Sequence, residues 1–248
     1  MAVVTLTMNG EQLSAESERT LLEIAREHGI EIPTLCHLEG LADVGACRLC
    51  LVEIEGTNRL LPACTTRPVE GMVVRTHTER LDKHRRLIVE MLASEGNHHC
   101  AVCVSNEHCE LQDLANKVGL TSVRVPYLYP DKKLDATHAL FVLDHNRCVL
   151  CTRCVRVCHD VEGAHTWDVA FRGIQCEIVA DLRAPWGNAE SCTSCGKCVA
   201  VCPTGALFAK GATVAEMQKR TDFIKYLVTA RKKREWVRDF LEDEEGDS

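Results

Sequence analysis

The chain has 248 residues, enough for two or three small domains, and its formal net charge of −7 argues against nucleic acid as the main partner. Its 16 cysteines contrast with only 4% aromatic residues, so crosslinks of some kind are expected to supplement a small core. The sequence shows neither a secretory signal pattern at its start nor an apolar run of about 18 residues. We therefore expect a cytoplasmic protein without a membrane span, whose reduced cysteines hold metal.

Residues 1–76 are predicted to form a small α+β domain. The alternating residues Val3–Met8 predict a strand, and Asn9-Gly10 predicts a hairpin turn after it. Thr20 is the predicted N-cap of a helix that ends near Gly29. Short β-like runs follow at 51–55, 59–63 and 72–75.

Four cysteines of this first domain are candidate ligands of a [2Fe–2S] cluster. Such a cluster needs four thiolates, and a CxxC pair can supply two of them from one tight loop. The first gap here is x10, whereas plant-type ferredoxins have x4, and zinc remains the alternative metal. The predicted ligands are Cys36, Cys47, Cys50 and Cys64.

Residues 77–122 are predicted to be mainly helical, with a second short helix over 111–118. The predicted apolar face of the first helix consists of Leu81, Leu87, Ile88, Met91 and Leu92.

A cysteine cluster interrupts this helical segment and provides only three thiolates, from Cys100, Cys103 and Cys109. A [4Fe–4S] cluster here would need a fourth ligand, and imidazole is a competent ligand of iron. His98 is the favoured candidate, and His99 and His108 are the alternatives.

Residues 123–137 are predicted to be a linker, because Val125–Pro130 carries two prolines that disfavour a helix. Residues 138–210 then contain an internal repeat. Both copies have the spacing CxxCxxCxxxC, which is typical of two-cluster bacterial ferredoxins, although His159 stands where a proline is usual after the first copy.

In that ferredoxin pattern the fourth cysteine of each run ligates the other cluster. One [4Fe–4S] cluster is therefore predicted on Cys148, Cys151, Cys154 and Cys202. The second is predicted on Cys158, Cys192, Cys195 and Cys198. Zinc would leave the duplicated spacing unexplained. Cys176 is left over, in the strand-like run 173–179, and is predicted to be a buried structural thiol.

Residues 211–248 are predicted to form a C-terminal helix, over 215–241, and an acidic tail. The helix could fold back onto this chain or dock on a partner, and its basic run 231–234 is interpreted as a solvated face. Its apolar positions are Phe223, Ile224, Leu227 and Val228, then Trp236, Val237, Phe240 and Leu241.

This order of domains resembles the N-terminal part of the large iron–sulfur subunit of respiratory complex I. The resemblance is carried by Glu95-Gly96-Asn97-His98, by 144–158 and by 162–170. It implies that His98 ligates iron, although complex I has its histidine four residues before the first cysteine, where this chain has Gly96. [FeFe]-hydrogenases and NAD-dependent formate dehydrogenases share a similar order. The strongest resemblance is to the diaphorase iron–sulfur subunits of bidirectional NAD(P)-linked [NiFe]-hydrogenases.

The resemblance implies an α+β fold with a β-grasp [2Fe–2S] domain, a histidine/cysteine [4Fe–4S] segment and a two-[4Fe–4S] ferredoxin domain. It implies one [2Fe–2S] and three [4Fe–4S] clusters. No GxGxxG motif or phosphate-binding loop is found, and no spare cysteines could build a nickel site, so no catalytic residue is expected in this chain.

The partners implied are a flavin/NAD(P)-binding diaphorase subunit, the small and large [NiFe]-hydrogenase subunits and, as a further candidate, another [2Fe–2S] subunit. Only 46 residues follow Cys202, which favours a small subunit. The alternatives are the equivalent subunit of a formate dehydrogenase or complex I-like dehydrogenase and, in another class, a zinc-stabilised scaffold without redox activity.

Overall fold

The structure is a computed structural model and describes residues 2–233. Its first unit is a five-stranded sheet in the order β2-β1-β5-β3-β4, in which β1 and β5 are parallel and the other neighbours antiparallel. The strands are β1 Val3–Met8, β2 Glu11–Glu16, β3 Leu51–Ile54, β4 Leu60–Pro62 and β5 Met72–Arg75. With helix α1, Leu21–Glu27, this sheet confirms the predicted β-grasp-like α+β unit.

Local sequence signals account for the first hairpin and for α1. Asn9 and Gly10 both have positive φ, 54° and 93°, as the tight turn between β1 and β2 requires. Thr20 and Glu23 form a reciprocal capping box, in which each side chain accepts a hydrogen bond from the other residue's backbone N–H. The apolar face of α1 is completely buried against the sheet and consists of Leu21, Leu22, Ile24 and Ala25.

Helix α2, Glu79–Glu95, packs inward with only part of the predicted apolar face: Leu81 is buried, and Ile88 and Leu92 are partly buried against a small core. Leu87 and Met91 are 40% and 41% exposed, whereas the buried residues are Leu81, Arg85, Val89, Glu90 and Ser94. Arg85 lies on the buried face because its guanidinium donates hydrogen bonds to the carbonyls of Leu49, Leu51 and Thr76. Those buried carbonyls need donors, so the inner face of the helix carries an arginine.

Helix α3, Glu110–Lys117, packs beside α2 on the cysteine loops of the first unit. Its Leu111 and Leu114 share one small core with Leu35, Leu49 and Val89. The stretch 121–133 has no regular structure but is tied to the end of α2, since Leu128 N–H donates to the Ser94 carbonyl at 3.2 Å.

The ferredoxin-like unit contains two antiparallel sheets, β10-β7-β6 and β8-β9, around two short helices. Its strands are β6 Leu134–Asp135, β7 Phe141–Asp144, β8 Trp167–Ala170, β9 Glu177–Ala180 and β10 Leu207–Ala209. Helix α4, Arg153–Arg156, continues into a π-helical turn, Val157–Glu162, and packs on α5, Lys197–Val201. Single 3-10 turns lie at Cys100–Val102, His145–Arg147, Gly173–Gln175, Asp181–Arg183 and Trp186–Asn188.

The C-terminal helix begins later than predicted: α6 is described over Asp222–Lys233. The preceding residues use their backbone elsewhere, because Ala215 N–H and Met217 N–H donate to the carbonyls of Cys103 and Val104. Ile224 is completely buried, and Phe223, Leu227 and Val228 pack beside it on the ferredoxin-like core. This part of α6 therefore folds back onto the chain. The predicted apolar positions from Trp236 onward and the acidic tail lie outside the described residues.

Within residues 2–233, no helix is both long and apolar enough to cross a membrane.

Candidate metal centres

The four cysteines of the first unit come together as two close pairs on the loops around β3. The Cys47 N–H donates to Cys36 Sγ at 3.5 Å, and the sulfurs of Cys50 and Cys64 lie 3.4 Å apart. The loop is curled by two left-handed residues, Gly45 and Arg48, with φ of 61° and 58°.

Each pair holds one thiol that gives up its proton readily. The side-chain hydrogen bond with Cys36 lowers the pKa of Cys47 to about 5, and the one with Cys64 lowers the pKa of Cys50. Cys36 and Cys64 have raised pKa values because of these same hydrogen bonds and of burial. Thiolate is the form that binds metal, so the lowered pKa values of Cys47 and Cys50 favour ligation.

The second group lines a cavity of about 330 Å³, counting the part open to solvent. His98, His99, Cys100, Cys103 and Cys109 all line it, whereas His108 is not among its lining residues. His98 is half-buried and His99 is exposed. Burial lowers the pKa of His98 and favours the neutral ring that ligates metal.

The hydrogen bond of His98 distinguishes the two histidines further. Its Nε2 lies 3.1 Å from the Leu92 carbonyl, which can only accept, so Nε2 carries the proton and Nδ1 keeps a free lone pair. A metal-ligating histidine usually donates its second ring N–H to such an acceptor.

Two glycines allow close approach at this cavity. A Cβ on Gly205 would lie 2.5 Å from the Cys103 sulfur, and one on Gly96 would lie 2.6 Å from His98 Nε2. Gly96 thus leaves room for the His98 ring. Gly205 was missed in the sequence, where only its place shortly after Cys202-Pro203 could have drawn attention to it.

The duplicated cysteine runs of the ferredoxin-like unit line two further cavities, and each cavity combines cysteines from both runs. One cavity, of about 350 Å³, is lined by Cys148, Cys151, Cys154 and Cys202. The other, of about 320 Å³, is lined by Cys158, Cys192, Cys195 and Cys198. The packing of α4 on α5 accompanies this exchange: Cys158 lies in the π-helical turn after α4, and Cys202 directly follows α5.

The repeat is also visible in the backbone. The residues on both sides of the middle cysteine are left-handed in each copy: Leu150 and Thr152 beside Cys151, and Ser194 and Gly196 beside Cys195. Left-handed residues curl each run into a concave loop. Burial raises the pKa of Cys148, Cys151 and Cys198 to about 12.

The donor sets fit iron–sulfur clusters. All four groups offer thiols, with one imidazole in addition, and thiolate with an occasional imidazole is the donor set of iron–sulfur clusters. The buried Arg147 Nε beside the His98 cavity is 3.4 Å from Asp144 in an ion pair, yet it has no hydrogen-bond acceptor within the described part of the chain. A sulfur acceptor in the cavity would satisfy this donor.

Cys176 differs from its prediction as a buried thiol. It is only half-buried, and it follows a 3-10 turn rather than lying inside a strand, because β9 starts at Glu177. Together with Cys148, Lys132 and His145 it lines a separate cavity on the outer side of the first repeat.

Replacing Cys176 by serine is expected to leave iron and sulfide per chain unchanged, because all the predicted ligand positions remain filled. Cys148→Ser is the matched control on the same cavity and is expected to remove about four iron atoms. Metal and sulfide analysis of anaerobically purified protein measures both. Loss of iron from the Cys176→Ser variant would mean that Cys176 is a ligand.

Paired cysteines on a β-grasp unit, together with cysteine-lined cavities in the following segment and in a two-run ferredoxin unit, define an iron–sulfur electron-transfer protein. Family models agree: residues 1–79 match a "2Fe-2S iron-sulfur cluster binding domain", and 85–124 match an "NADH-ubiquinone oxidoreductase-G iron-sulfur binding region". Residues 139–208 match the ferredoxin-like domain of NADH-quinone oxidoreductase subunit 3, and 184–235 match a "4Fe-4S dicluster domain".

The chain belongs to the family of the gamma subunit of NAD-reducing hydrogenase HoxS. It is 34% identical to that subunit from Cupriavidus necator over 208 residues, which are 84% of this chain and 87% of the relative. A chain in a crystal structure of an NAD+-reducing [NiFe]-hydrogenase superposes with a TM-score of 0.81 at 33% identity, covering 94% of this chain and 99% of the other.

Other relatives are much longer. The alpha subunit of NADPH-Fe(3+) oxidoreductase from Geobacter sulfurreducens is 36% identical over 208 residues, which are 84% of this chain. The chain spans only 24% of that relative's length.

Proposed function

We propose that this chain is the iron–sulfur electron-transfer subunit of the diaphorase module in a bidirectional NAD(P)-linked [NiFe]-hydrogenase. In this role it relays electrons between the hydrogenase subunits and the flavin/NAD(P) subunit. The observation that carries the proposal is coverage: the chain matches HoxS gamma over 87% of that subunit and a chain of the NAD+-reducing hydrogenase over 99%.

Four clusters are assigned to the four groups of side chains. A [2Fe–2S] cluster is proposed on Cys36, Cys47, Cys50 and Cys64. A [4Fe–4S] cluster is proposed on His98, Cys100, Cys103 and Cys109. The two ferredoxin-like [4Fe–4S] clusters are proposed on Cys148, Cys151, Cys154 and Cys202, and on Cys158, Cys192, Cys195 and Cys198. Such clusters, when bound, supply reversible one-electron chemistry.

The side chains between the sites support a relay. Thr204 lines both the His98 cavity and the Cys202 cavity, and its hydroxyl donates to the Arg147 carbonyl at 2.7 Å. The same hydroxyl lies 3.7 Å from the Cys202 sulfur. One buried side chain thus lies between two neighbouring sites.

The proposed partners are the flavin/NAD(P)-binding subunit and the small and large [NiFe] subunits, in the cytoplasm. A further [2Fe–2S] subunit remains a candidate. In the described residues, every cysteine except Cys176 belongs to one of the four proposed sites, and one remaining thiol is too few for a nickel site, so nickel and nucleotide chemistry is assigned to the partners.

The native complex tests this proposal. When the complex is purified anaerobically by an affinity tag on this chain, it is expected to contain nickel and to reduce NAD(P)+ with hydrogen. The chain itself is expected to be brown and to contain iron and sulfide. A complex with molybdenum or tungsten and formate-dependent activity would instead assign the chain to a formate dehydrogenase. A colourless chain containing zinc would contradict the electron-transfer role itself.

A further inference from the structure

Arg156 is a buried cation that lies between two of the cysteine sites. It is only 7% exposed, and its Nη2 donates to the Cys36 carbonyl at 2.5 Å and to the Cys151 carbonyl at 3.1 Å. Its Nη1 donates to the Ala42 carbonyl at 2.6 Å. One guanidinium therefore joins the loop of the proposed [2Fe–2S] site to the loop of the first ferredoxin-like site.

No carboxylate balances this charge. Within residues 2–233, Arg156 takes part in no ion pair, and its hydrogen-bond acceptors are carbonyls and the Thr152 hydroxyl. A buried arginine is normally paired with an anion, because an isolated charge is poorly solvated inside a protein.

Arg153, one helical turn earlier, shows the usual arrangement. It is also buried and also reaches the first unit, through the His37 carbonyl at 2.8 Å. However, it is bidentate with the Glu110 carboxylate at 2.5 and 2.7 Å, so that pair has no net charge. Arg153 thus has a carboxylate as its countercharge, whereas Arg156 has none among the described residues.

We propose that Arg156 is a positioning residue shared by two cluster sites, and that the net negative charges of those clusters are its countercharge. It holds the Cys36 and Cys151 loops in a constant relation, and its positive charge favours the reduced, more negative form of both clusters. The inference rests on the proposed ligation. Neutralising Arg156 lowers the reduction potentials of the [2Fe–2S] cluster and of the Cys148–Cys202 cluster together, and leaves the other two unchanged.

The test is an EPR-monitored redox titration of the full chain, purified anaerobically. In Arg156→Gln, each of the two affected clusters is expected to shift its oxidised-to-reduced ratio at least tenfold toward the oxidised form, about 59 mV for a one-electron couple. Arg156→Lys keeps the charge. In this variant the oxidised-to-reduced ratio of both clusters is expected to stay within threefold of the wild-type ratio at the same applied potential. If Arg156→Gln loses clusters, Arg156→Lys still tests the proposal. A tenfold shift in the oxidised-to-reduced ratio of either cluster in Arg156→Lys would overturn it, because the charge is kept there.

The matched control removes the neutral pair through the double substitution Arg153→Gln and Glu110→Gln. This control loses hydrogen bonds between the same units without a change of net charge. The oxidised-to-reduced ratio of both clusters is therefore expected to stay within threefold of the wild-type ratio. Four intact clusters with unmoved potentials in Arg156→Gln would overturn the role of Arg156 and leave the proposed function standing. A wild-type chain without clusters would refute the proposed function instead.

Discussion

Cys202→Ser is expected to abolish the [4Fe–4S] cluster of the first cysteine run, although Cys202 belongs to the second run. Its sulfur lines the cavity of Cys148, Cys151 and Cys154, and a serine hydroxyl is a poor ligand for that iron. The chain should lose about four iron atoms and one [4Fe–4S] EPR signal. The missing signal should be the one that Cys148→Ser also removes.

The reciprocal variant, Cys158→Ser, is the control for this exchange. Cys158 belongs to the first run but lines the cavity of the second, so the missing signal should match that of Cys195→Ser. If Cys202→Ser and Cys195→Ser removed the same signal, each run would hold its own cluster, and the crossed assignment would be wrong.

His98→Ala is expected to disrupt one [4Fe–4S] cluster and to leave the [2Fe–2S] signal intact. His98 has a half-buried ring at the cavity, and its Nε2–H is held by the Leu92 carbonyl, whereas His99 at the same cavity is exposed. Alanine leaves three thiolates for a cluster that needs four ligands, so either about four iron atoms are lost or that cluster's EPR signal changes. His98→Cys should restore the cluster with a lower potential, since thiolate carries more negative charge than imidazole.

His99→Ala is the matched control, one residue away and exposed, and all four EPR signals should persist in it. Unchanged signals in His98→Ala, together with a loss in His99→Ala, would transfer the ligand role to His99.

Short-range sequence signals predicted most of the first unit. Asn9-Gly10 makes the expected turn, the Thr20 cap starts α1 where predicted, and Met72–Arg75 is a strand. These features depend on residues within one turn or hairpin, so neighbours in sequence are sufficient to specify them.

Part of the predicted α2 face and the predicted start of the C-terminal helix were wrong because segments distant in sequence form hydrogen bonds with these residues. The apolar pattern placed Leu87 and Met91 inside, but Arg85 is buried instead, because carbonyls of the first unit need its donors. The C-terminal helix starts late because Ala215 and Met217 pair with the loop of the His98 site.

By itself the sequence determined the class of protein and its candidate ligands, since the cysteine spacing within each run is a local property of the chain. Only the tertiary structure shows that Cys158 and Cys202, whose exchange the repeat already predicted, line the cavities of the opposite runs. It also shows the hydrogen bond that the favoured His98 makes with the Leu92 carbonyl, and the contacts by which Arg156 joins two sites. These relations depend on the packing of α4 on α5 and on contacts between residues more than 100 positions apart, such as Cys36 and Arg156. No local pattern encodes such contacts, because they form only when the buried surfaces of separate units meet.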